Sequence, residues 1–372
     1  MTVREMLDRI NHANNRGLLP LVKTVNAIED SLNKEPFPIE VLLRLGEIVR
    51  QRLADGTMED RFLAPFLKLH HGYLKQGFRQ VELFKAVALA ITNHCFRHRG
   101  NMSDELLVGV SQNLCPFQFR DDRLLNATAF NLLNPSGGHV VWVETIGSFL
   151  HAAATAGYAS TKDYERLRNR AIDTAKSYQS EVGVHNALTK IAWSHLIFSP
   201  EAALETLGQM EKWIIPAALD WESLVRLHQI YFANKKKKPA KKFAQLIRDA
   251  EKEREEDKHN PYPYSSTFED EVLPVLQHIK DSGLIEFKPS HKLAFYRVDF
   301  LVDTGSEEIV IECDHPIFHQ FVKLQTKEKV KSGEDVIRDN VISGAHRVIR
   351  ITTTDWNAAT NKVDFLFGLL FP

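Results

Sequence analysis

With 372 residues, 44% of them hydrophobic and 26% charged, the chain has the make-up of a folded protein of one large or two ordinary domains. A formal net charge of -1 excludes coating nucleic acid by bulk charge, so any such contact must come from a local patch. No apolar run approaches the roughly 20 residues that cross a bilayer, and Cys95, Cys115 and Cys313 lack the spacing of a disulfide framework or a zinc module.

The sequence opens on MTVREMLDRI with no apolar signal core, and residues 1–230 read as helix after helix. Pro38 to Leu53 places Ile39, Leu42, Leu43, Leu45, Ile48, Val49 and Leu53 on one broad stripe. Pro38 suits a first turn, and Asp55-Gly56 punctuates the end. Further apolar segments run Phe62 to Leu74, Val81 to Cys95, Leu106 to Leu114, Leu124 to Leu133, Val140 to Ala156, Lys162 to Ala175 and Val184 to Phe198. Helical pairs of about 35 to 45 residues suggest an irregular α-solenoid, with an irregular bundle as the competing architecture.

Composition breaks at 231–260. Lys235 to Lys258 carries ten Lys/Arg against six Asp/Glu, with Lys235, Lys236, Lys237, Lys238, Lys241 and Lys242 crowded at its start. This segment reads as a solvated linker or exposed helix. Its clustered lysines also suit an RNA-phosphate contact, where they would release counterions.

From 261 to 372 the period changes to that of a small α/β domain. A helix over Phe268 to Lys280 precedes strands at Leu284 to Lys288, Ala294 to Val302 and Glu308 to Glu312. A charged helix is expected over Lys323 to Gly344, a strand over His346 to Thr352, and a last helix over Trp356 to Leu370.

Asp299 lies in the apolar strand YRVDFLV, where a carboxylate is costly unless paired or functional. Glu312 and Asp314, in IVIECD, are two apart and share a strand face. A hairpin through Gly305 can bring Asp299 beside them, and Glu271 on the preceding helix can add a fourth carboxylate. Such a set could hold Mg²⁺ or Mn²⁺ and activate a water against a phosphodiester. That is the layout of a restriction-endonuclease-like core. However, Asp314 stands where the usual pattern has a lysine, so no metal and no catalytic residue is favoured.

YRVDFLV, IVIECDHPIFH (Ile309 to His319) and VIRDNVISGAHRVIRITTTDWN (Val336 to Asn357) together resemble the RAP domain of organellar RNA-associated proteins. Asp299, Glu312, Asp314, Pro316, Gly344, Val348, Ile349, Ile351 and Trp356 carry the resemblance. His315, where the family usually has glycine, and the Ile-Phe before His319 depart from it. VHNALTKIAWSHLIFSP (Val184 to Pro200) is similar to the helical segments that precede such domains.

The resemblance implies a helical scaffold with a C-terminal RAP domain of restriction-endonuclease-like fold. It further implies residence in the mitochondrion and non-catalytic binding of RNA, above all rRNA, as a ribosome component or a ribosome assembly or RNA-processing factor beside ribosomal or other ribonucleoprotein proteins. The candidate RNA face is Lys323, Lys327, Lys329, Lys331, Arg338, Arg347 and Arg350, with the lysines at 235–242. A metal-dependent ribonuclease and a protein-only adaptor are the competing functions. Trp356 and Trp193 read most simply as core residues, and Phe117, Phe119 and Arg120 as a minor aromatic-basic patch. His70, His71, His94 and His98 read as satisfied histidines, and His315 with His319 lacks a zinc signature.

Overall fold

A computed structural model describes residues 1–33, 35–76, 78–98, 104–115, 119–135, 140–178, 181–235, 238–256, 267–314, 320–322 and 329–372. At 73–76, 94–98, 104–105, 182, 251, 253–256, 320–322 and 329–331 it describes the backbone alone. The chain divides into two compact units, one built on Met1–Thr174 and the other on Ala175–Gln320 with Val330–Pro372.

The first unit holds α1 (Val3–Arg16), α2 (Leu18–Ser31), α3 (Ile39–Ala54), α4 (Leu63–Lys68), α5 (Val81–His98), α6 (Asp104–Leu114), α7 (Asp122–Leu133) and α8 (Val143–Thr155). It also holds most of α9 (Thr161–Ser177). Local chemistry sets the helix starts. Thr2 and Glu5 form a reciprocal capping box on α1, and Asp121 accepts from the Arg123 and Leu124 amides of α7. Helices two apart in sequence pack together: α1 on α3, α3 on α5, α5 on α7, α4 on α6 and α6 on α8. Side-chain bonds repeat the step, from Arg44 to Asn11, Arg52 to Asn14 and Arg170 to the Leu133 carbonyl.

The second unit opens with α10 (Val182–Ser194), α11 (Pro200–Met210), α12 (Trp221–Ala233) and α13 (Lys241–Glu256). It continues with α14 (Thr267–Asp281), β1 (Glu286–Leu293), β2 (Tyr296–Asp303) and β3 (Glu308–Asp314). After the short strands β4 (Gln320–Val322) and β5 (Lys329–Lys331) come α15 (Gly333–Ser343), β6 (Arg347–Thr352), α16 (Thr353–Ala358) and α17 (Lys362–Leu370). The main sheet is mixed, in the order β1-β2-β3-β6. Its first two pairings are antiparallel and β3 runs parallel to β6.

One sheet face, with Phe300, Val302, Ile309, Ile311, Ile349 and Ile351, packs on α14, α16 and α17 through Phe268, Val272, Trp356 and Leu366. The other, with Val298, Leu301 and Val310, meets Ile342 of α15 and Phe232 of α12. Burying a side chain of this size contributes roughly 1.5–3 kcal/mol, and both faces use it.

The chain is therefore mostly helical with a small C-terminal mixed sheet, which matches the sequence reading in outline. Several elements differ from expectation, among them the strand predicted at Leu284 to Lys288, which runs Glu286–Leu293. Within the helix predicted over Lys323 to Gly344, Lys329–Lys331 is a strand and a helix runs from Gly333, where Ser332 caps it; residues 323–328 lie outside the described residues. The predicted terminal helix breaks at 359–361, where Asn361 starts α17 afresh. The segment after Lys238 is not a fully solvated helix, because Phe243, Ile247 and Ala250 form a buried stripe and α13 packs on α12. The unit containing the sheet begins at Ala175, ahead of the compositional break near 231. Among the described residues no helix is long and apolar enough to cross a membrane.

Candidate functional site

The β2–β3 hairpin assembles the carboxylates. Gly305 adopts φ +78°, a conformation that costs glycine little, and its amide donates to Asp303 Oδ1 at 2.8 Å. The turn sets Phe300 opposite Ile311, and beyond that pair the Asp299 carboxylate accepts from the Cys313 amide at 2.7 Å. Asp299, Glu312 and Asp314 therefore lie near the end of β3.

They do not share one coordination space. Glu312, only 3% exposed, turns to α15, where Arg338 Nη2 reaches both carboxylate oxygens at 2.6 Å. The same Nη2 donates to the Arg297 carbonyl at 2.9 Å. Asp314 turns to β6 and accepts from Arg350 Nη1 through both oxygens at 2.7 Å, while Arg350 Nη2 pairs with Asp339. Glu271 accepts from the indole of Trp356, the buried plug of the core, rather than joining the carboxylates.

Burial raises Glu312 to about 7, against the pull of Arg338 and with Asp299 adding repulsion. Burial likewise raises Asp299, and the Cys313 amide and Arg338 oppose that rise. The Cys313 thiol is pushed up by burial and by Asp299, Glu269, Glu312 and Asp314, so it is a poor nucleophile.

A resident Mg²⁺ or Mn²⁺ does not fit this arrangement. It would need oxygens that arginine guanidinia hold, and no trio of His, Cys, Asp or Glu suited to a metal occurs among the described residues. The cluster is an arginine-clamped network in which α15 and β6 lock the end of β3.

The basic residues expected at an RNA face divide sharply. Arg338 is committed to Glu312. Arg347 donates to the Leu369 and Leu370 carbonyls at the end of α17 and pairs with Glu307. Lys242 donates to the Glu211 and Ile214 carbonyls. These three make contacts within the fold, with helix-end carbonyls and carboxylates as partners. Lys235, Lys238 and Lys241 remain exposed around the start of α13. Lys236, Lys237, Lys323 and Lys327 lie outside the described residues, as does the side chain of Lys331.

Other candidates resolve into structure. Phe119 is buried edge-on against Phe84, and Arg120 is tied to Asp122 and the Gly157 carbonyl; Phe117 lies outside the described residues. His70 is buried beside the Phe66 carbonyl and Gln80, and desolvation lowers it to about 4. Trp193 is buried and its indole donates to Gln229. His315 and His319 lie outside the described residues, as do the side chains of His94 and His98.

Sequence reasoning missed the arginine partners. It places Arg338 and Arg350 on the candidate RNA face, although two carboxylates two apart on a strand already require cations from the flanking helix and strand. Comparison with known protein families and with curated proteins finds no match.

Proposed function

We propose that the chain is a non-catalytic RNA-binding protein of a mitochondrial ribonucleoprotein, with rRNA as its ligand and ribosomal proteins as neighbours. In this reading the helices form an α-solenoid scaffold and the sheet unit is a RAP domain of restriction-endonuclease-like fold. The stepping of α1, α3, α5 and α7 against one another supports the solenoid. The order β1-β2-β3-β6, with only β3 and β6 parallel and α14 and α15 on opposite faces, supports the nuclease-like core.

The observation that carries the non-catalytic reading is the pairing of Glu312 with Arg338 and of Asp314 with Arg350 and Asp339. Arginines consume the carboxylates that a nuclease would keep for metal. Lys235, Lys238 and Lys241 support the contact with RNA, as exposed cations in a chain with little net charge.

The test is native isolation of the protein followed by sequencing of the RNA that stays bound, alongside a Lys235/Lys238/Lys241→Ala variant. The expected result is rRNA with co-purifying ribosomal proteins, and RNA recovery at least tenfold lower in the variant. Protein that carries stable protein partners and no RNA would replace this function with an adaptor role. Mn²⁺-dependent RNA cleavage that disappears in Asp299→Asn would overturn the non-catalytic part.

A further inference from the structure

Two hydrogen-bonded rungs align α10 with α12 in the second unit. Asn186 Oδ1 accepts from the Asp220 amide at 3.1 Å, and Trp193 Nε1 donates to Gln229 Oε1 at 2.6 Å. Between the rungs lie Lys190 on α10 and Ser223 and Arg226 on α12. Ser223, Arg226 and Gln229 recur every three residues, so they share the helix face that Gln229 turns toward α10.

This polar seam is incompletely satisfied. Arg226 is 8% exposed, and its Nη1 is buried with no partner among the described residues. Ser223 Oγ, one turn earlier, is buried in the same condition. Arg226 Nη2 does have a partner, Glu222 at 2.8 Å, but that carboxylate side chain is 71% exposed. Asp220, the other nearby acid, is committed to the Ser223 amide as the cap of α12.

Burial and the positive charge of Arg226 both lower Lys190, against weaker support from Glu222 and Asp220. A guanidinium, a hydroxyl and an ammonium along one seam make a donor set that a tetrahedral oxyanion matches, because one group then supplies several charge-assisted acceptors.

We propose that the α10–α12 seam binds a phosphate group through Lys190, Arg226 and Ser223, with Glu222 as the displaceable cover. Trp221, adjoining Glu222 and partly exposed with its ring edge-on to Phe295, offers a surface for a base beside that phosphate. The assignment of the phosphate to an RNA backbone rests on the function proposed above; the site itself does not.

The experiment titrates the full chain with inorganic pyrophosphate and, separately, with single-stranded oligouridylate, in the wild type and in Lys190→Gln and Glu222→Gln. Pyrophosphate binding is expected in the wild type, at least tenfold weaker in Lys190→Gln and severalfold tighter in Glu222→Gln. Unchanged melting temperatures in both variants exclude a folding defect. No pyrophosphate binding by the wild type, or equal affinity in Lys190→Gln, overturns the site. If oligouridylate binding falls in parallel and pyrophosphate competes for it, the phosphate is that of RNA. Pyrophosphate binding without oligouridylate binding keeps the site and overturns RNA as its source. Oligouridylate bound equally by wild type and Lys190→Gln, without pyrophosphate binding, overturns the site and leaves the RNA function standing.

Discussion

Arg338 holds Glu312 in place by charge, but the pair is a costly arrangement. Both side chains are largely out of solvent, so the desolvation of two ions offsets much of their attraction. Removing one partner should cost more than removing both. Arg338→Ala should lose up to about 3–5 kcal/mol in denaturant unfolding at alkaline pH, where the carboxylate must ionise without its cation, and less at acid pH, where it is neutral. Arg338→Met with Glu312→Leu should lose clearly less. The pH dependence has a definite sign. Glu312 titrates at about 7 in the folded protein, above the ordinary glutamate value of 4.5. Its protonated form thus favours the fold, and that contribution is full below pH 4.5 and lost as pH rises through about 7. The difference is on the order of 3 kcal/mol, and Glu312→Gln should flatten the stability profile across this window.

At the scale of elements, close approach decides where α15 can end. A Cβ on Gly344 would overlap the carbonyl of Ala233 at the end of α12, so only glycine lets the two helix ends meet. The same junction carries the bond from Asn340 to the Leu196 carbonyl and the contact of Phe232 with His346. Gly344→Ala should therefore cost more than about 2 kcal/mol, since backbone rather than a flexible side chain must yield. Thermal unfolding of the full chain checks this. Gly208 faces open space, and Gly208→Ala should change stability by less than about 1 kcal/mol or improve it.

For the molecule as a whole, α10 to α12 belong to the structure of the sheet unit. Trp193 and Ala294 are bridged by Gln229, whose Nε2 donates to the Ala294 carbonyl at 3.2 Å, and α12 covers the sheet face that holds Leu301 and Val310. A fragment spanning 175–372 should unfold cooperatively, whereas 231–372 should bind hydrophobic dyes and resist assignment of a single transition. Circular dichroism and dye fluorescence on both fragments decide it. Composition obscured this boundary, because the lysines at 235–242 suggest a linker while the burial of Phe243 and Ile247 is visible only by helical spacing. The helices of α3 to α9 and the strands around Asp299 and Glu312 were legible because each follows a period. The arginine partners were not, since no local pattern tells which cation a strand carboxylate will meet 26 or 36 residues later in the chain. The strand Lys329–Lys331 is hidden inside the helix expected over Lys323 to Gly344 because its charged residues also favour helix.

The β1–β2 turn has a consequence for the order of folding. Ala294 and Phe295 both take positive φ, at 46° and 69°, where a tight hairpin would ordinarily use Asn-Gly. Phe295 is held edge-on between Trp221 and His228, and Gln229 secures the carbonyl of Ala294. A turn with so little intrinsic preference is a poor nucleus. The hairpin is expected to close only once α12 is present to receive its tip. Its contacts thus form late on the pathway, and truncating Phe295 should accelerate unfolding while leaving the refolding rate nearly unchanged.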